Sequence, residues 1–151
     1  MEKQKKVLLV DDEEEFVNSL AERLRIRDLD SDTAYNGEQA LAYINNGCKP
    51  DVMVLDLRMT GMGGMEVLRE TRKTHPGIQV IMLSGHGSRN HQDEAMRLGA
   101  FDYLQKPVNI DMLMSKITKA YEKKAHEDMT TVGFAEDSEP QAARDSLKGE
   151  E

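Results

Sequence analysis

In Asp51-Val-Met-Val-Leu-Asp56, continued by Leu57-Arg58-Met59-Thr60-Gly61, four apolar residues run between two acids. An apolar run this short, bounded by Pro50 and Gly61, fits a strand buried on both faces. It ends on Asp56, a poor strand residue that is costly to bury alone. Open α/β sheets place their ligands at the C-terminal ends of such strands. An Asp in this place also simply opens turns, so its meaning depends on what other segments bring to it.

The 151 residues are enough for one domain with a real core. Charged residues make up 32% of the chain, and no apolar run approaches the roughly 18–20 residues that span a bilayer. Met1-Glu-Lys-Gln-Lys-Lys6 leads into a short apolar run, which is no signal peptide. Cys48 is the only cysteine, so no internal disulfide forms; a cytoplasmic setting and a plain packing role are expected for it. The net charge is −8, and most of it lies after Glu127. Neither part is basic, which argues against nucleic acid as a partner.

Lys6-Val-Leu-Leu-Val-Asp11-Asp12 is another short apolar run ending in acid. Glu13 to Arg27 follows as an amphipathic helix, with Phe16, Val17, Leu20 and Leu24 on one face. Its early acids and late arginines suit the helix dipole. The dipole alone accounts for Glu13 to Glu15 better than for two acids still attached to a strand. Asp30 to Tyr35 is a weaker strand; Asn36 with Gln39 three residues on opens a helix that Gly47 closes. A third helix runs from about Met65 to His75 and stops at Pro76-Gly77. Ile78 to Leu83 is a fourth strand, ending in Ser84-Gly-His-Gly87, and Ser88 caps a helix to Leu98. That helix is poorly apolar early on: Arg89 to Glu94 offer the sheet nothing, so it is expected to be among the less stable elements. Gly99 to Pro107 holds a fifth strand ending in Lys106. Asn109 caps a last helix with Ile110, Leu113, Ile117 and Tyr121 inward. From about Ala125 the chain turns polar and acidic and is expected to be disordered. Residues 1–124 would form the domain and 125–151 a tail.

A strand–helix unit repeated five times implies a doubly wound parallel sheet with helices on both faces. All strand ends then share one edge, gathering Asp11, Asp12, Asp56, Ser84 and Lys106. Three carboxylates together repel one another. Lys106 offsets one charge, and a hard divalent cation such as Mg2+, with oxygen ligands, offsets more; no His or Cys pairing suggests zinc. A carboxylate beside such a cation, a lysine and a hydroxyl is equipped to accept a phosphoryl group as an acyl phosphate.

Val7-Leu-Leu-Val-Asp11-Asp12-Glu13, Val54-Leu-Asp56-Leu-Arg58-Met59, Ile81-Met-Leu-Ser84-Gly-His86 and Gly99-Ala-Phe-Asp-Tyr103-Leu-Gln-Lys106-Pro107 together resemble the receiver domain of response regulators, over about residues 5–124. The resemblance implies a flavodoxin-like (βα)5 fold with strand order 2-1-3-4-5. It implies Asp56 as the phosphoacceptor and Mg2+ held by Asp12, Asp56, the Arg58 backbone carbonyl and, largely through water, Asp11. Lys106 would contact the phosphoryl group through a cis bond to Pro107, and Ser84 and Tyr103 would form a switch pair. A histidine kinase or histidine phosphotransfer protein would be the donor. The expected form is a stand-alone signalling domain, monomeric or dimerising on phosphorylation, with partners at the fourth helix, the Tyr103 strand and the last helix. It is no enzyme apart from its own phosphorylation and dephosphorylation. The family usually has Pro where Thr60 stands and often Asp at Gly63, which leaves the loop after Asp56 open.

Three other readings are weaker. A phosphatase of the haloacid dehalogenase type needs a second acid two residues after the nucleophile, where Arg58 stands. A flavin module needs a phosphate-cradling loop where Asp11 to Glu15 would repel a phosphate. A transcription factor needs a DNA-binding domain, for which the sequence after residue 124 is too short and too acidic.

Overall fold

The computed structural model describes residues 6–85 and 89–137. Its strands are β1 (Lys6–Val10), β2 (Asp30–Ala34), β3 (Val52–Asp56), β4 (Gln79–Ser84) and β5 (Asp102–Gln105). Its helices are α1 (Glu14–Ile26), α2 (Gly37–Asn45), α3 (Gly64–Thr74), α4 (Arg89–Arg97) and α5 (Ile110–Asp137). The strands are all parallel and lie in the order β2-β1-β3-β4-β5, as the resemblance implies.

Side chains alternate across a strand, and this alternation builds two cores. Val7, Leu9, Val52, Val54, Ile81 and Leu83 face α1 and α5, meeting Val17, Leu20, Leu24, Leu113 and Ile117. Leu8, Val10, Met53, Leu55, Val80 and Met82 face the other way, toward Ala40 and Ile44 of α2, Val67 and Leu68 of α3, and Ala95 of α4. Each fully buried Leu or Ile contributes about 1.5–3 kcal/mol, and these central strands are buried on both faces.

Local signals set the helix boundaries. The Asn36 side chain accepts the Gln39 N–H at 2.8 Å, while Gln39 Oε1 accepts the Tyr35 N–H at 2.8 Å. Two orphan donors at the start of α2 are thereby satisfied. Asn109 accepts the Met112 N–H at 3.0 Å and opens α5 in the same way. Gly47 closes α2 with a φ of +88°, a left-handed conformation that glycine adopts without strain. Ser88 as the cap of α4 lies outside the described residues.

Two expectations are corrected. Cys48 is exposed, not packed, because it follows the left-handed Gly47 in the turn beyond α2. Residues 125–137 belong to α5; Lys123 pairs with Glu127 one turn on at 3.5 Å, and Glu127 accepts a hydrogen bond from Gln79 at 3.3 Å. These contacts carry the helix past the point where its apolar face ends. Among the described residues no helix is long and apolar enough to cross a membrane.

The N-terminus of α2 packs closely under the loop after Asp56. A Cβ on Gly37 would lie 2.8 Å from Val67 Cγ2 and 3.0 Å from Met62. Val67 is buried and stiff, so Gly37→Ala should cost about 1–2 kcal/mol. Urea unfolding of the variant checks this; an unchanged midpoint would mean that the loop yields freely.

Candidate metal centre

β1 delivers its two acids where the strand leaves the sheet. The Asp11 N–H is still bonded to Ala34 O at 3.1 Å, and its carboxylate is 1% exposed. Asp11 Oδ1 accepts the Glu13 N–H at 2.9 Å, which ties it to the start of α1. Asp12 is half-buried. Its Oδ2 accepts both the N–H of Thr60 at 2.9 Å and the Thr60 hydroxyl at 3.1 Å. Asp56 ends β3 and is 5% exposed. One carboxylate oxygen from each of Asp11, Asp12 and Asp56 lies within 4.8 Å of the others.

Lys106, just beyond β5, reaches into this group. Its Nζ is 2.9 Å from Asp11 Oδ2, 3.1 Å from Glu13 Oε1 and 3.3 Å from Asp56 Oδ1. The Phe16 ring lies 4.9 Å from the ammonium and covers it. The Lys106–Pro107 peptide is cis. Three carboxylates thus contact one ammonium and Asp12 adds a fourth to the cluster, so the site carries a negative excess.

That excess shows in the proton affinities. Burial first, and then the charge of Asp11, push the Asp56 carboxyl up to about 6, with Lys106 pulling the other way. Burial works against the Lys106 charge, but its hydrogen bond to Asp11 and the charges of Asp56 and Asp11 outweigh burial and hold the ammonium above the ordinary lysine range. Oxygen donors in this number, with net negative charge, suit a small hard dication better than a softer one.

The remaining expected residues lie at the end of β4, on β5 and in the loop after β3. Ser84 ends β4 and is 1% exposed, and its hydroxyl accepts a hydrogen bond from Gln92 Nε2 at 2.9 Å. Tyr103 is 37% exposed on β5. Arg58 is exposed in the loop after β3. Gln92 corrects the view that the first turns of α4 offer the sheet nothing: it is buried through a polar bond, which apolar periodicity does not register. Glu13, Phe16 and Thr60 also touch the site. Glu13 and Phe16 read as the start and core face of α1, and Thr60 reads only as a departure from the family's usual Pro, with no contact to Asp12 expected.

Comparison with known proteins identifies the family. The model of the response regulator receiver domain matches residues 7–118. The chain is 38% identical over 121 residues to the transcriptional regulatory protein CpxR of Klebsiella pneumoniae, covering 80% of this chain and 50% of that protein. It is 37% identical over 119 residues to the putative response regulator NtrX-like of Rickettsia conorii, covering 77% and 25% respectively. It thus spans a half or less of the length of these relatives. A response regulator receiver domain protein from Clostridium thermocellum superposes with a TM-score of 0.76 at 34% identity, over 80% of this chain and 97% of that one. Nothing in these matches supports the haloacid dehalogenase reading. The chain belongs to the response regulator receiver domain family, the phosphorylatable switches of two-component response regulators.

Proposed function

We propose that Asp56 accepts a phosphoryl group from a histidine kinase or a histidine phosphotransfer protein, with Mg2+ as cofactor. The observation that carries this reading is the convergence of three carboxylates within 4.8 Å on a lysine 3.3 Å from Asp56. A carboxylate oxygen of Asp56 attacks phosphorus, the phosphorus–nitrogen bond breaks, and the donor imidazole leaves with its electron pair. Asp11, Asp12, Asp56 and the Arg58 carbonyl would hold the cation, which neutralises charge on the transferred oxygens when bound. Lys106 supplies a fixed positive charge to the same oxygens; positioning and charge neutralisation account for most catalysis of this reaction. Water later hydrolyses the acyl phosphate, so the domain turns over only its own modification.

The output is a changed surface. The phosphoryl group adds roughly two negative charges. Ser84 leaves Gln92 to donate to it, and Tyr103 turns inward. A nearly complete change of populations takes about 5.5 kcal/mol of differential stabilisation. α4 is the cheapest element to move, because Gln92 and Ala95 are the buried residues it contributes among those described. We place the domain at residues 1–124, with α5 running on beyond it, and its partner contacts on α4, β5 and α5, in a cytoplasmic protein. Amide exchange with and without a phosphoryl mimic tests the surface; unchanged protection over residues 89–121 would refute it.

The direct test is incubation with acetyl phosphate and Mg2+ followed by intact mass. Wild type should gain one phosphoryl group and Asp56→Asn none. Equal labelling of both would move the acceptor elsewhere.

A further inference from the structure

Thr60 has two donors, and both are committed to one oxygen of Asp12, 48 residues away in sequence. The loop that presents Thr60 is pinned at both ends. The Leu57 N–H donates to Leu83 O at 2.8 Å, and the Gly64 N–H donates back to Leu57 O at 3.0 Å. Gly64 packs so closely on the strand end that a Cβ there would lie 2.2 Å from Asp56 O. Between these anchors Gly61 turns the chain with a φ of +80°, and Met59 and Met62 pack into the core beneath α2 and α3. The loop is therefore held independently of Asp12, and Thr60 is a fixed donor pair rather than one that follows the carboxylate.

We infer that Thr60 is a positioning residue for divalent-cation binding: it locks the Asp12 carboxylate by Oδ2 and leaves Oδ1 for the cation. This rests on the Mg2+ site of the proposed function and deepens it. An oxygen has two lone pairs, and both on Oδ2 have a donor. Those donors hold the carboxylate from one side. They also fix its rotamer before the cation arrives, which removes part of the ordering cost of binding. Thr60 thereby lets the loop that follows the phosphoacceptor set the affinity of a ligand contributed by β1. Asp12 is half-buried and the described contacts of its Oδ2 are both to Thr60, so the orientation of this acid depends on Thr60 far more than that of Asp11, which Lys106 and Glu13 hold.

The test is calorimetric titration of the whole chain with Mg2+, for wild type, Thr60→Val, Thr60→Ser and Thr60→Pro. Val keeps the shape and the N–H but lacks the hydroxyl, Ser restores the hydroxyl, and Pro lacks both donors. Partners that orient a metal ligand are typically worth about 10–100-fold in affinity; one exposed hydroxyl belongs at the low end, so Val should bind about tenfold more weakly. Ser should match wild type, and Pro should bind more weakly than Val. Metal-free melting of each variant shows that it is folded. A Val variant that binds Mg2+ as tightly as wild type overturns the role of Thr60 and leaves the metal site standing, as does an equal loss in Val and Ser. A wild-type chain that takes up no Mg2+ overturns the site and this role with it.

Discussion

Lys106→Met should slow phosphorylation by acetyl phosphate about a hundredfold, the scale of losing one preorganised stabiliser of transition-state charge. Met keeps the stem, fills the same space against Phe16 and has favourable contacts with an aromatic ring, so the change isolates the charge. Lys106 touches Asp11, Glu13 and Asp56 at 2.9, 3.1 and 3.3 Å. Without it the Asp56 carboxyl, already pushed up to about 6 by burial and by Asp11, loses the group that pulls it down. A larger fraction of the acceptor then holds a proton and cannot attack. The loss should be partly recovered as pH is raised from 6 to 8. Initial rates from intact mass at several pH values check this. A variant labelled at the wild-type rate would remove Lys106 from the reaction.

Asp56→Asn should stabilise the cation-free protein at neutral pH. The folded form holds the Asp56 proton more tightly than the unfolded chain, whose carboxyl lies near 3.8 against about 6 in the fold. Below about pH 4 both forms are protonated and the residue is neutral in its effect. As pH rises through that window to about 6, only the folded form still binds the proton, so stability falls, and above 6 the loss is complete. Each pKa unit corresponds to about 1.36 kcal/mol, so the ceiling is about 3 kcal/mol and the working expectation about 2 kcal/mol. Asn has the same shape and no charge. The melting-temperature difference between variant and wild type should be near zero at pH 4 and rise to about 5 °C by pH 7. Saturating Mg2+, which needs the ionised carboxylate, should narrow it. A variant that melts below wild type at pH 7 would show that Asp56 is not the strained group.

Much of this was legible in the sequence, because it rests on period and position. Three short apolar runs that end in Asp11, Asp56 and Ser84, and a further strand that ends in Lys106, alternate with helices and so specify parallel strands, and parallel strands bring their ends to one edge. The acid cluster and its lysine follow from that alone. What escaped was written in single polar bonds. Gln92 anchors α4 to Ser84 without any apolar signal, and Thr60 reaches Asp12 across the sheet edge. The end of α5 escaped for a related reason: loss of the apolar stripe marks where a helix leaves the core, not where its backbone hydrogen bonding stops.

That last point has a mechanical side. α5 starts four residues after Lys106 and runs for 28 residues, about 42 Å at 1.5 Å per residue. Its Glu127 meets Gln79 at the opposite edge of the sheet from the acids, and the helix runs on to Asp137. The helix is thus an arm whose near end lies four residues from Lys106. A tilt of about 5° at Asn109 would sweep the tip near Asp137 through about 4 Å for a rod of that length. A movement too small to matter at the carboxylate would be magnified at the far side of the molecule.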